Sequence, residues 1–90
     1  MIEKSNAPVA IVTGGSRGIG RAICLELAQA GYFMIVNYSS NASTAADTVA
    51  EVRAMGGGAE SLKFDVADNT QVQAAVKDLN RRFNQIEILV

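Results

Sequence analysis

Ninety residues with a net charge of −1, 49% apolar and 19% charged side chains, describe one small folded unit or part of a larger one. That balance gives no electrostatic case for nucleic acid or an anionic membrane surface, and no apolar run approaches the ~18 residues of a membrane span. The sequence has no histidine, which removes Ser-His-Asp and Cys-His catalysis together with the commonest metal ligand, and the lone Cys24 cannot form a disulfide within the chain.

Residues 1–7 read as a leader: Met1 to Asn6 is polar and lacks the apolar stretch of a signal peptide, so a cytoplasmic location is expected. Val9-Ala10-Ile11-Val12 is an apolar run of strand length. Thr13-Gly14-Gly15-Ser16-Arg17-Gly18-Ile19-Gly20 follows, a glycine-rich turn. Ile19, Ile23, Leu27 and Ala30 then recur at helical spacing, and Gly31 is a good left-handed end for that helix. Cys24 falls beside its apolar positions, as expected of a buried, inert thiol.

Tyr32-Phe33-Met34-Ile35-Val36 reads as a strand covered on both faces, ending in the polar loop 37–41. Thr44 with Asp47 fits a capping box for a second helix whose apolar face is Ala45, Val49 and Val52. One of Gly56, Gly57 and Gly58 suffices to stop it, so the run reads as a flexible turn without chemistry. Leu62 and Phe64 mark a weaker third strand closing on Asp65-Val66. Asp68 with Gln71 makes another capping box, before Val72, Val76, Leu79 and Phe83 at helical spacing. Arg81 and Arg82 suit the last turn of that helix as a solvated face. Ile86 to Val90 is a fourth strand. Alternating strands and helices imply an α/β fold with a parallel sheet and right-handed crossovers, in one domain.

A strand, a glycine turn and a helix in that order make a phosphate cradle. Backbone N–H groups of the turn and of the helix start converge where the helix dipole favours an anion. Gly14, Gly18 and Gly20 read G-x-x-x-G-x-G, which differs from the G-x-G-x-x-G dinucleotide fingerprint. Gly15 to Gly20 also imitates the start of a nucleoside-triphosphate loop. Arg21-Ala22 then stand where that loop needs Lys and Ser or Thr, and alanine cannot ligate magnesium.

T-G-x-x-x-G-x-G after a first strand resembles the cofactor motif of the short-chain dehydrogenase/reductase family. Thr13 to Ala22 is most similar to its 3-oxoacyl-(acyl carrier protein) reductase branch, and the resemblance runs from about Pro8 to Val90. It implies a Rossmann-type parallel sheet, strand order 3-2-1-4, with helices on both faces and truncated after the fourth strand. Residues 1–90 are then the N-terminal half of one NADP(H)-binding domain. The resemblance implies that Gly14, Gly18 and Gly20 cover the pyrophosphate beside Ile19, while Thr13 braces the turn. Relatives that prefer NAD carry an acid at the end of the second strand. Here that end reads Asn37-Tyr38-Ser39, and Arg17 stands where NADP-using relatives have a basic residue. With Ser16 and Ser39 as further donors, this favours NADP(H); the alternative is a solvated Arg17 and an Asn37 that merely ends a strand. Asp65 would accept from the adenine amino group, with Val66 as an apolar wall, or else serve as an ordinary turn residue.

The same resemblance implies a small-molecule carbonyl substrate, a 3-oxoacyl thioester being one such, and a homo-oligomeric, tetrameric full-length protein. Catalysis in the family rests on a Ser and a Tyr-x-x-x-Lys pair that follow the fourth strand. Tyr32 and Tyr38 have Val36 and Ala42 four residues on, so this chain holds no such pair and no catalytic residue. Taken alone it is expected to be inactive, with an open apolar edge at its last strand that favours association. The competing function is a free-standing nucleotide-binding or interaction fragment.

Overall fold

A computed structural model describes residues 8–14, 18–83 and 86–89. Residues 1–7, expected as a leader, and Gly15, Ser16, Arg17, Asn84, Gln85 and Val90 lie outside the described residues. Seven elements alternate along the chain: β1 (Val9–Val12), α1 (Gly18–Gln29), β2 (Phe33–Tyr38), α2 (Ala42–Ala54), β3 (Ala59–Lys63), α3 (Asn69–Arg82) and β4 (Ile86–Leu89). The four strands form one parallel sheet in the order β3-β2-β1-β4. This is the Rossmann-like order that the resemblance implies.

Continuous apolar runs become central strands because both of their faces are covered. Val9, Ala10, Ile11 and Val12 are all at most 3% exposed, as are Met34, Ile35 and Val36. Side chains alternate along a strand, so each run feeds two cores. Ala10, Val12, Met34 and Val36 pack with Cys24 of α1 and with Ala45, Val49 and Val52 of α2. Val9, Ile11 and Ile35 pack on the other face with Ala75 and Leu79 of α3. Ile86 joins that second core, and the register against β1 shifts between Val9 and Ala10 so that exposed Glu87 is passed over.

Four local expectations change. The cap of α2 is Asn41, not Thr44: Asn41 Oδ1 accepts from the Thr44 N–H at 3.3 Å, and Thr44 Oγ1 donates to the Asn41 carbonyl at 3.2 Å. The helix therefore begins a few residues earlier than the Thr44–Asp47 pattern suggests. At α3 the Asp68 cap holds, its carboxylate accepting from Thr70 and Gln71 N–H and from Gln71 Nε2. The face of α3 differs, however: Ala75 takes the buried place, Val76 is 36% exposed, and Phe83 is an extended C-cap. Arg82 is no bare solvated residue. Its guanidinium pairs with Asp78 and with Glu60 of β3 and lies 5.2 Å from the centre of the Phe83 ring, tying helix to edge strand.

The fourth change concerns Gly56-Gly57-Gly58, which is packed and not loose. Gly56 has φ +87° and ends α2 with the paired bonds of a Schellman motif, Gly56 N–H to Arg53 O and Gly57 N–H to Val52 O, both 3.0 Å. A Cβ at Gly57 would stand 3.1 Å from Val52 Cγ1, and one at Gly58 only 2.5 Å from Phe33 Cδ2. Phe33 cannot swing away freely, since its ring lies 5.1 Å from that of Phe83. Gly58→Ala is therefore expected to destabilise the chain by about 1–3 kcal/mol through overpacking. A denaturant midpoint equal to wild type would restore the loose-turn view.

Cys24 is fully buried, and burial pushes its thiol up to about 11. The folded chain therefore holds this proton at a pH where the unfolded chain, with an ordinary thiol near 9.0, has released it. Stability from this group is complete below pH ~9 and is lost as pH rises through the folded value. Cys24→Ala is expected to flatten the loss of stability between pH ~9 and ~11, read as the difference between the two unfolding curves. Parallel curves would show that Cys24 contributes nothing there.

Candidate functional site

Parallel strands bring their carboxyl ends to one side of the sheet, and the loops that leave them surround a shared space. Here the ends of β1, β2 and β3 border a cleft of about 430 Å3. Thr13 and Gly14 supply one wall, Asn37 to Asn41 the floor and a second side, and Phe64, Asp65 and Val66 the third.

Each wall has a local cause. Gly14 and Gly18 both have φ +65°, a left-handed conformation that side chains resist, which lets the chain turn from β1 into α1 within a few residues. A Cβ added at either would meet no other part of the described residues within 4 Å. No acidic residue occupies the first turn of α1, whose free N–H groups favour an anion. Arg21, close behind, is committed to Glu51 of α2.

The third wall is held by the start of α3. Asp65 N–H donates to Gln71 Oε1 at 2.9 Å, and the Asp65 carbonyl accepts from Asp68 N–H at 2.9 Å. Its Oδ1 accepts from Ala67 N–H at 2.9 Å, so the turn role is real. The side chain remains exposed and lines the cleft, and Val66 beside it is 58% exposed. Among the described residues of the lining, Asp65 alone carries a formal charge.

Of the residues singled out in the sequence, Thr13, Gly14, Asn37, Tyr38, Ser39, Asp65 and Val66 meet in this cleft. Gly18, Ile19 and Gly20 open α1 and are absent from its described lining; Ile19 is 82% exposed. Ser16 and Arg17 lie outside the described residues. Sequence reasoning passes over Ser40, Asn41 and Phe64. The first two continue the polar run after β2, a usable signal. Phe64 reads as part of a strand from its apolar character, whereas it stands just past the end of β3.

No helix among the described residues is long and apolar enough to cross a membrane. The family model for short chain dehydrogenases matches residues 8–90. The 3-oxoacyl-[acyl-carrier-protein] reductase FabG of Staphylococcus aureus (strain Mu50) is 41% identical over 81 residues, 90% of this chain and 33% of that protein. A short chain dehydrogenase from Burkholderia cenocepacia J2315, solved in complex with NADP, superposes with a TM-score of 0.83 at 39% identity, over 91% of this chain and 34% of that one. A metagenomic short-chain oxidoreductase, also solved with NADP, gives 0.87 at 29% identity over 91% of this chain and 37% of its own. The chain thus spans about a third of the length of that FabG and of both solved chains. With the glycine turn, the strand order and a match that runs from Pro8 to Val90, the chain belongs to the short-chain dehydrogenase family.

Proposed function

We propose that this chain is the adenosine-binding part of an NADP(H)-dependent carbonyl reductase, the N-terminal half of a single cofactor-binding domain with residues 1–7 as its leader. The observation that carries the reading is the convergence of Thr13-Gly14, Tyr38-Ser39 and Asp65-Val66 on one cleft, next to a strand-to-helix turn flanked by the left-handed Gly14 and Gly18. A dinucleotide suits such residues: its pyrophosphate needs close backbone approach at a helix start, and its adenine a flat crevice with a polar edge. The 3-oxoacyl thioester named for the Staphylococcus relative is the substrate class this reading favours, and NADP in two solved relatives supports the cofactor. As in the family at large, the longer protein is read as a homo-oligomer acting on a small molecule.

The bound cofactor supplies the hydride. What this chain's residues do is bind and orient. In this reading Gly14, Gly18, Ile19 and Gly20 offer backbone to the pyrophosphate, and Thr13 steadies the turn. Ser16, Arg17 and Ser39 take the 2′-phosphate, with Asn37 and Tyr38 beside the ribose. Asp65 accepts from the adenine amino group on its free side, and Val66 shields a ring face. No proton-transfer role falls to any residue of these ninety.

Two substitutions separate the parts. Arg17→Ala is expected to weaken NADPH by about 1.5–3 kcal/mol, roughly tenfold to a hundredfold, and to leave NADH nearly unchanged, since one charge-assisted contact is lost. Titration calorimetry of both variants with both cofactors checks it; equal losses would remove Arg17 from the 2′-phosphate. Asp65→Ala is expected to weaken both cofactors alike without changing which is preferred. A hypoxanthine analogue of NADPH, lacking the amino group, should bind wild type poorly and the variant about as well as NADPH does. Wild type that holds the analogue as tightly as NADPH would end the adenine role.

A further inference from the structure

Asn37 is only 3% exposed, although it opens the polar stretch at the end of β2 and lines the cleft. Its Nδ2 donates to the Phe64 carbonyl at 3.0 Å, to the Leu62 carbonyl at 3.3 Å and to its neighbour Tyr38 O at 3.4 Å. Every one of these partners is an acceptor, so the amide must present its N–H groups to them. The position of Phe64 explains the need. The β2–β3 ladder ends with Tyr38 opposite Lys63, and Phe64 N–H still reaches the Tyr38 carbonyl at 3.1 Å. The next rung would need a backbone donor beyond Tyr38, but the chain has already turned toward Ser39 and Asn41. The Asn37 side chain supplies that donor instead.

Alternation along β2 gives the adjacent residue a different task. Phe33 and Ile35 belong to the α3-side core, Met34 and Val36 to the α1–α2 side, and Tyr38 packs with the latter. Asn37 and Tyr38 therefore leave the strand on opposite faces, Tyr38 on the side of α1 and α2.

The geometry points to Asn37 as a positioning residue: its side-chain amide replaces the missing ladder rung, fixing Phe64 and hence the Asp65-Val66 wall. This rests on the nucleotide reading above. It departs from that reading by taking Asn37 out of direct ligand contact.

The test uses the full chain, nuclear magnetic resonance and two probes, adenosine 2′,5′-bisphosphate and ADP. In wild type the Asn37 side-chain NH2 should exchange at least about tenfold more slowly than that of exposed Asn69 or Asn80, and stay protected when either probe is added. Asn37→Leu keeps the volume and removes both donors. It should speed amide exchange at Phe64 to Ala67 but not in β1, and weaken both probes by a similar factor, roughly tenfold, with their ratio unchanged. Probe-induced shifts at Gly14 and Gly18 to Gly20 should persist while those at Asp65 and Val66 shrink; a general loss of stability would not divide them so. Three results overturn the assignment: no regional change in Asn37→Leu, a changed probe ratio, or a wild-type Asn37 amide that exchanges as fast as Asn80. The last needs no variant to fold. If wild type binds neither probe while its Asn37 amide is protected and Asn37→Leu speeds exchange at Phe64 to Ala67, the nucleotide reading has failed and the rung assignment stands.

Discussion

Burial of β1 on both faces is the constraint from which the remaining arrangement follows. Four consecutive apolar residues, none more than 3% exposed, cannot be covered by a single layer, because successive side chains point to opposite sides. The chain meets the demand with α1 and α2 on one face and α3 on the other. Right-handed crossovers turn that division into strand order: β2 and β3 lie to one side of β1, and the change of face at α3 sends β4 to the other. The cleft lies outside the carboxyl ends of β1, β2 and β3, where the loops leaving those strands surround a shared space.

How much of this could be read from the amino acids divides by the range of the physics. Apolar runs and helical spacing report burial, the largest favourable contribution to folding, so all seven elements were legible and Val9–Val12 matches residue for residue. Gly31 was legible too, because a left-handed helix end is a local requirement, and Gly14 and Gly18 were legible as parts of a tight turn. Gly58 was not: its cause is a Phe33 ring distant in sequence, itself held by Phe83. Thr44 with Asp47 looked like a cap because spacing alone cannot tell which of two nearby oxygens the first N–H groups will meet, and Asn41 met them. Arg82 looked solvated because its partner Glu60 lies on β3, far away in sequence.

The candidate site shows the same division. Thr13-Gly14 and Asp65-Val66 were found because strand ends and glycine turns are sequence-local, and topology then brings them to one cleft. Phe64 was hidden by its apolar character, which reads as core, although its backbone carbonyl is what the site uses. Residues of the α3 cap act at a distance as well. Gln71 serves two neighbours, donating to Asp68 and accepting from Asp65 N–H, so the capping box of a helix also holds a wall of the cleft.

That coupling bears on why a polar Asn at position 37 is tolerated where a buried strand end would ordinarily favour an apolar residue. An unpaired buried carbonyl is costly, and the ladder runs out of backbone donors once β2 turns away. The Asn37 amide supplies that donor, whereas a carboxylate of the same shape would set acceptors against acceptors. The amide therefore fits this rung, and a carboxylate in its place would leave the Phe64 carbonyl without this donor. Position 38 carries no such constraint, since its side chain leaves on the other face and only its backbone serves the ladder. Within this strand, hydrogen bonding to the end of β3 thus bears on the side chain at position 37 and leaves the one at position 38 free of that demand.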